Sequence, residues 1–153
     1  MNNYLEEQLM ASILASYKDY KNPNFSFVMQ KVNSNFYFQL KESLAQYIVI
    51  DHTDLNYDVC ETLEVKQNSK SIYIYLSLVG RYCYITNKGS IITANNNNDK
   101  TYNELIVKIT QARIVMLTKE QLLHILPVAI ECEDGEKHSS VLSLFFAPGL
   151  YIQ

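Results

Sequence analysis

The sequence predicts an α+β domain in which an antiparallel sheet packs against two or three helices, and three observations predict it. Residues 3–20 repeat apolar side chains at helical steps. Residues 57–93 alternate in character over successive short segments parted by turn residues. Residues 128–146 hold two apolar segments around Asp134-Gly135. Helix and strand signals thus fall in separate stretches, as in a sheet with segregated helices. No linker composition divides the chain, so residues 1–153 are expected to form a single domain, long enough to bury a core without metal or disulfide.

The first element is a helix. Leu5, Leu9, Ile13 and Tyr17 recur at i+4 steps with Met10 and Leu14 beside them, and Glu6 and Glu7 sit in the first turn, where the helix dipole favours acids. Asn22-Pro23-Asn24 is expected to end it. Phe25, Phe27 and Met29 then alternate like a short strand, and Phe36, Leu40, Leu44 and Tyr47 are spaced as a helix over 35–47. Tyr47-Ile48-Val49-Ile50 fits either the buried end of that helix or a strand.

The meander follows. Tyr57, Val59, Leu63 and Val65 point one way and Asp58, Thr62, Glu64 and Lys66 the other, which predicts a half-exposed strand. Ser71–Val79 is apolar on both faces, with Ile72, Ile74, Leu76 and Leu78 opposed to Tyr73 and Tyr75, and is the expected central strand. Gly80 is read as a bulge or bend, after which the strand resumes through Tyr82 to Ile85. Asn87-Lys88-Gly89 is a hairpin signal, and Ile91-Ile92 begins the return strand.

Asn95–Lys100 reads as a solvated loop. Residues 101–117 read either as a helix through Leu105, Ile109 and Ala112 or as a strand with a helical start; Thr118-Lys119-Glu120-Gln121 is a capping box that must start a new helix over 119–126, before Pro127, which favours a strand at 112–117. Residues 128–133 and 139–146 are the strands of a second hairpin.

Charge and composition exclude several functions. The net charge is −3, and the 13 Lys and Arg residues are scattered, without the basic patch that displaces counterions from phosphates. No nucleic-acid partner is therefore expected. No apolar run approaches the roughly 20 residues of a membrane span. The amino terminus lacks the basic and apolar pattern of a secretory leader, and Cys60, Cys83 and Cys132 are odd in number and far apart. A cytoplasmic protein without disulfides or membrane contact is expected.

The usual chemical motifs do not occur. The four glycines are isolated, so neither dinucleotide nor phosphate loops are present, and His52, His124 and His138 lack metal-site spacing. No metal and no cofactor are expected. Asp51, His52 and Asp54 are a weak polar cluster able to act as ligands or acid/base groups, although Asp and Thr are ordinary turn formers. Cys83 shares a strand side with Arg81, which would favour its thiolate, against the ordinary behaviour of a buried strand cysteine.

Tyrosine is the distinctive residue, with 12 Tyr and no Trp. Tyr73, Tyr75, Arg81, Tyr82 and Tyr84 are the candidate binding surface: a bulge at Gly80 would bring the four tyrosines onto one sheet face.

The run Ile74-Tyr75-Leu76-Ser77-Leu78-Val79-Gly80-Arg81-Tyr82-Cys83-Tyr84-Ile85, followed by Leu117–Leu123 and Val141–Phe146, resembles the layout of small bacterial immunity-type proteins. The resemblance implies a single cytoplasmic α+β domain that binds and blocks a cognate polymorphic toxin; it carries no functional residue over. The expected function is accordingly a non-enzymatic binding protein whose partner is another protein. Two alternatives stand beside it. One is a small-ligand-binding or enzymatic domain with a pocket between the tyrosine face and the helix near 35–47. The other is a subunit of a larger assembly held by an exposed sheet edge.

Overall fold

The meander predicted over 57–93 is the centre of the fold. In the computed structural model, which describes residues 1–56, 58–93, 99–132 and 135–147, strand β2 (Cys60–Gln67) pairs antiparallel with β3 (Lys70–Ser77), and β3 with β4 (Tyr82–Asn87). The readings of Tyr57, of the loop 95–98, of Glu133 at the end of the expected strand and of Asp134 in the second turn lie outside the described residues. Both tight turns have the positive backbone angles that such hairpins need. Asn68 and Ser69 join β2 to β3 at φ 50° and 65°, and Lys88 and Gly89 join β4 to β5 (Ser90–Ile91) at φ 50° and 81°.

Two edges complete this sheet. β1 (Ile48–Asp51) pairs antiparallel with β2 at one edge, which resolves the open choice at 47–50 in favour of a strand. At the other, β6 (Val115–Met116) lies parallel to the start of β4, so the sheet has six strands with β3 inside it. Between β5 and β6 runs α4 (Lys100–Gln111), N-capped by Asp99, whose carboxylate accepts the Thr101 amide at 2.9 Å.

The other helices follow local chemistry. In α1 (Asn3–Tyr17), the Asn2 side chain accepts the Leu5 amide at 2.8 Å, and Leu9, Ile13 and Tyr17 are buried as the stripe predicts, while Leu14 is exposed. The helix stops before Asn22-Pro23, because Lys18 turns left-handed at φ 65°. The expected strand at 25–29 is instead α2 (Ser26–Asn33). Its neighbours Phe27 and Val28 are buried together while Met29 is exposed; a strand would send Phe27 and Val28 to opposite faces. The helix expected over 35–47 shrinks to α3 (Phe38–Ser43), since Asn35 adopts a left-handed turn at φ 53°.

The Thr118 capping box forms as predicted and starts α5 (Lys119–Leu123), which is shorter than expected: the chain extends at His124 and enters β7. The second hairpin pairs β7 (Ile125–Glu131) with β8 (Lys137–Ser140) as a separate two-stranded sheet. The strand expected to run to Phe146 ends at Ser140. There the Ser140 hydroxyl accepts the Ser143 amide at 3.1 Å and caps α6 (Val141–Phe145). A short all-apolar run fits a buried helix as well as a strand, and the cap decides.

One further correction concerns β2. It is not half-exposed: Cys60 through Val65 are all buried, including Glu61, Thr62 and Glu64. Lys41 of α3 reaches Glu61 at 2.8 Å and neutralises it on the core side. That side of the sheet holds Leu63, Val65, Ile72, Ile74, Leu76 and Ile85, all buried in the main core.

Candidate functional site

Strand register assembles the opposite face. Thr62 lies across from Tyr75 and Glu64 from Tyr73; on the other side Tyr75 faces Tyr84 and Tyr73 faces Thr86. Ile50 faces Glu64 and Ile48 faces Lys66 on β1. Directly opposed residues share a face, so Tyr73, Tyr75, Tyr82 and Tyr84 do share one. They do so by a different route from the expected bulge: the chain reverses at Leu78–Arg81, and β3 and β4 form a hairpin. Gly80 is required there by close approach, because a Cβ at this position would lie 2.6 Å from the Tyr82 ring.

Arg81 does not join the tyrosines. Its guanidinium donates to the Phe36 carbonyl at 3.0 Å and the Ala112 carbonyl at 2.7 Å, and lies against the Phe36 and Tyr37 rings. It ties the β3–β4 turn to the segments before α3 and after α4. The neighbouring Tyr37 hydroxyl donates to the carbonyls of Ser77 and Gly80 and anchors the same turn.

The tyrosine face has two halves. Tyr82 meets Phe145 edge-on at 5.2 Å and Tyr84 meets Phe146 at 4.8 Å, so α6 and the residue after it roof this half and leave Tyr82 and Tyr84 only 6% and 2% exposed. Burial pushes the Tyr84 phenol well above its ordinary range. The other half is open: Tyr73 and Tyr75 are half-buried, and Ile48 and Ile50 are exposed at 68% and 37%.

The weak polar cluster divides. Asp51 accepts the Thr53 amide at 2.9 Å and Asp54 accepts the Asn56 amide at 3.1 Å, so both aspartates build the turn after β1. His52 instead continues the ladder, its amide donating to the Thr62 carbonyl at 2.8 Å, and its imidazole reaches the open tyrosine half. The ring lies 5.8 Å from the Tyr73 ring, and Nε2 is 2.8 Å from Glu64 Oε2. The other Glu64 oxygen accepts the Ser71 hydroxyl, and Lys66 Nζ stands 3.5 Å away. These contacts, the Ser71 hydroxyl foremost and His52 next, hold the Glu64 carboxyl down at about 2.

Glu64 and Ser71 are the residues that sequence reasoning missed. Alternation put Glu64 on an outward face, but only the register reveals that Ser71, Tyr73 and His52 surround it. The arrangement presents two aromatic hydroxyls, an oriented imidazole and a charge-balanced carboxylate beside exposed isoleucines. It can make stacking, hydrogen-bonded and apolar contacts over one continuous surface.

The Cys83 thiol is fully buried and pushed up to about 12 by desolvation, the ordinary behaviour of a buried strand cysteine, and Arg81 does not activate it. The pocket foreseen between the tyrosine face and the helix near 35–47 does not form, because Lys41 of α3 packs on the Glu61 side of the sheet, away from the tyrosines. Among the described residues no three His, Cys, Asp or Glu side chains converge as a metal site, and no helix is long and apolar enough to cross a membrane.

No family model matches the chain, and comparisons with curated proteins and with solved structures find no match.

Proposed function

We propose that this chain is a non-enzymatic binding protein whose contact surface is the open half of the tyrosine face, acting by occluding a protein partner. The observation that carries the reading is the continuity of exposed Ile48 and Ile50 with half-buried Tyr73 and Tyr75 and the His52–Glu64 pair. Contiguous apolar surface rimmed by polar groups is characteristic of contact sites, and tyrosine supplies contact area at low entropic cost. Inhibition of a cognate toxin, as the resemblance to immunity-type proteins implies, is the form of binding we favour.

Co-expression with the protein encoded by the adjacent gene, followed by calorimetry on the purified pair, tests this. A stable complex is expected, weakened at least about tenfold by Tyr73→Ala and by Ile50→Lys. A complex indifferent to both substitutions puts the contact elsewhere, and no complex at all removes the inhibitor reading.

One observation favours a second reading, a small-ligand or enzymatic domain: the His52 imidazole is oriented by a carboxylate, the arrangement of a general base. A metabolite screen by thermal shift separates the two. A stabilising ligand whose effect disappears in His52→Gln supports the second reading.

A further inference from the structure

We infer that the outer edge of β1 joins a second copy of this chain, fusing the two large sheets about a two-fold axis. The inference goes beyond the proposed binding face, because the backbone edge of the strand makes the contact, with Ile48 and Ile50 of that face meeting only as cross-strand neighbours. The β1–β2 register pairs Ile48 with Lys66 and Ile50 with Glu64, and the His52 amide bonds to Thr62 at 2.8 Å. Bonding residues alternate in an antiparallel ladder, so Val49 and Asp51 turn their amides and carbonyls away from β2.

This edge is short and ends in Asp51, but it lacks the stronger devices that discourage pairing. β1 reads Ile-Val-Ile-Asp, without proline or lysine, and its register with β2 runs without a bulge. Val49 at its centre is 39% exposed. The strand is also its own complement. An antiparallel pair centred on Val49 sets Ile48 of each copy opposite Ile50 of the other, apolar against apolar, with the outward groups of the two Val49 residues bonded to each other.

Charge argues for a second copy over an unrelated strand. Gln46, just before β1, opens a groove along α4 lined by Lys100, Asn103, Val107 and Lys108. In the two-fold pair the other copy's chain runs on from Asp51 past Gln46, and its exposed Asp51–Asp54 loop enters this groove. Glu104 there is already engaged by the Tyr47 hydroxyl at 2.8 Å and by Lys100 at 3.9 Å, whereas Lys108 has no ion-pair partner among the described residues. The carboxylate of Asp54 from one copy therefore meets Lys108 of the other, and symmetry makes the contact twice. A four-residue strand pair falls short of the roughly 1,000 Å² of a specific interface, and the two loop-in-groove contacts extend it.

Sedimentation equilibrium on the full chain tests the proposal. The mass is expected to rise with concentration from 17.7 kDa to twice that value. Val49→Pro removes an outward amide that β2 does not use and replaces a part-exposed side chain, so it should leave the fold intact by circular dichroism and weaken the dimer by about tenfold or more. Lys108→Glu and Asp54→Lys should each weaken it by about tenfold, and the double variant should recover most of the loss. That recovery does not depend on the proline variant folding. A monomer at all concentrations overturns the proposal. So does a dimer indifferent to both the proline and the charge variants, or an edge that captures an extended peptide while the chain itself stays monomeric.

Discussion

Tyr75 and Tyr84 stack face to face across β3 and β4, with ring centroids 4.4 Å apart and planes 4° from parallel. The stack is the border of the tyrosine face. Tyr84 lies under Phe146 and belongs to the core, whereas Tyr75 is half-buried and faces the open side. One aromatic pair thus fastens the candidate contact surface to the hydrophobic interior.

The border predicts unequal costs. Tyr84→Ala empties a fully packed site and should destabilise the chain by about 3–5 kcal/mol. Tyr75→Ala should cost clearly less, because its ring is only partly buried. The double-mutant cycle should give a coupling of about 0.5–1.5 kcal/mol. Urea unfolding of the three variants measures all of this; equal costs for the two single variants would show that the border is drawn in the wrong place.

The sequence neighbours of Arg81 predict a place on the contact surface, but its contacts assign it a different task. It should be required for stability and dispensable for binding. Arg81→Ala strands the Phe36 and Ala112 carbonyls and should cost about 1–3 kcal/mol. Arg81→Lys should recover little, since one ammonium cannot span two carbonyls as the forked guanidinium does. Thermal melts read the stability, and calorimetry with the partner should show an unchanged affinity; a large affinity loss in a folded Arg81 variant would return the residue to the contact surface.

These cases show which features were legible before the structure. Alternation and turn residues are local, so the meander, the Lys88-Gly89 turn and the Thr118 cap could be read directly. The reversal at Gly80 could not. A strand with a bend and two strands of a hairpin have the same alternation when the turn residues, Leu78 and Val79, are themselves buried. Phe25–Met29 failed for a related reason: five residues are too few to separate a period of 2 from one of 3.6. The His52–Glu64 contact spans 12 positions and exists only once β1 and β2 are in register, which no local pattern encodes.

The cysteines offer a test of that burial. Cys60 and Cys83 are fully buried and their thiols are pushed up to about 12 by desolvation, whereas Cys132 is partly exposed. Alkylation of the native protein near neutral pH should modify Cys132 first and leave the other two untouched until the chain is unfolded. Mass spectrometry of the labelled peptides distinguishes them. Early labelling of Cys83 would mean that β4 is accessible from the β6 edge.

Glu64 makes stability depend on pH in a defined window. Its carboxyl has an ordinary value of 4.5 and is held at about 2 in the fold, chiefly by Ser71 and then by His52. A depressed carboxylate stabilises the folded state at pH above its unfolded value, and the contribution disappears as pH falls through the folded value. The native protein should therefore exceed Glu64→Gln in melting temperature at neutral pH, and the gap should close between about pH 4.5 and 2. Asp99, lowered by Lys70, and Asp58, raised by burial, titrate in both proteins and cancel in the difference. Ser71→Ala should move the closing point upward, toward 4.5, because it removes the strongest contact to the charged form. A gap that stays constant from pH 7 to 2 would mean that Glu64 is not held by charge-dependent contacts, and the polar core of the open tyrosine half would then need a different account.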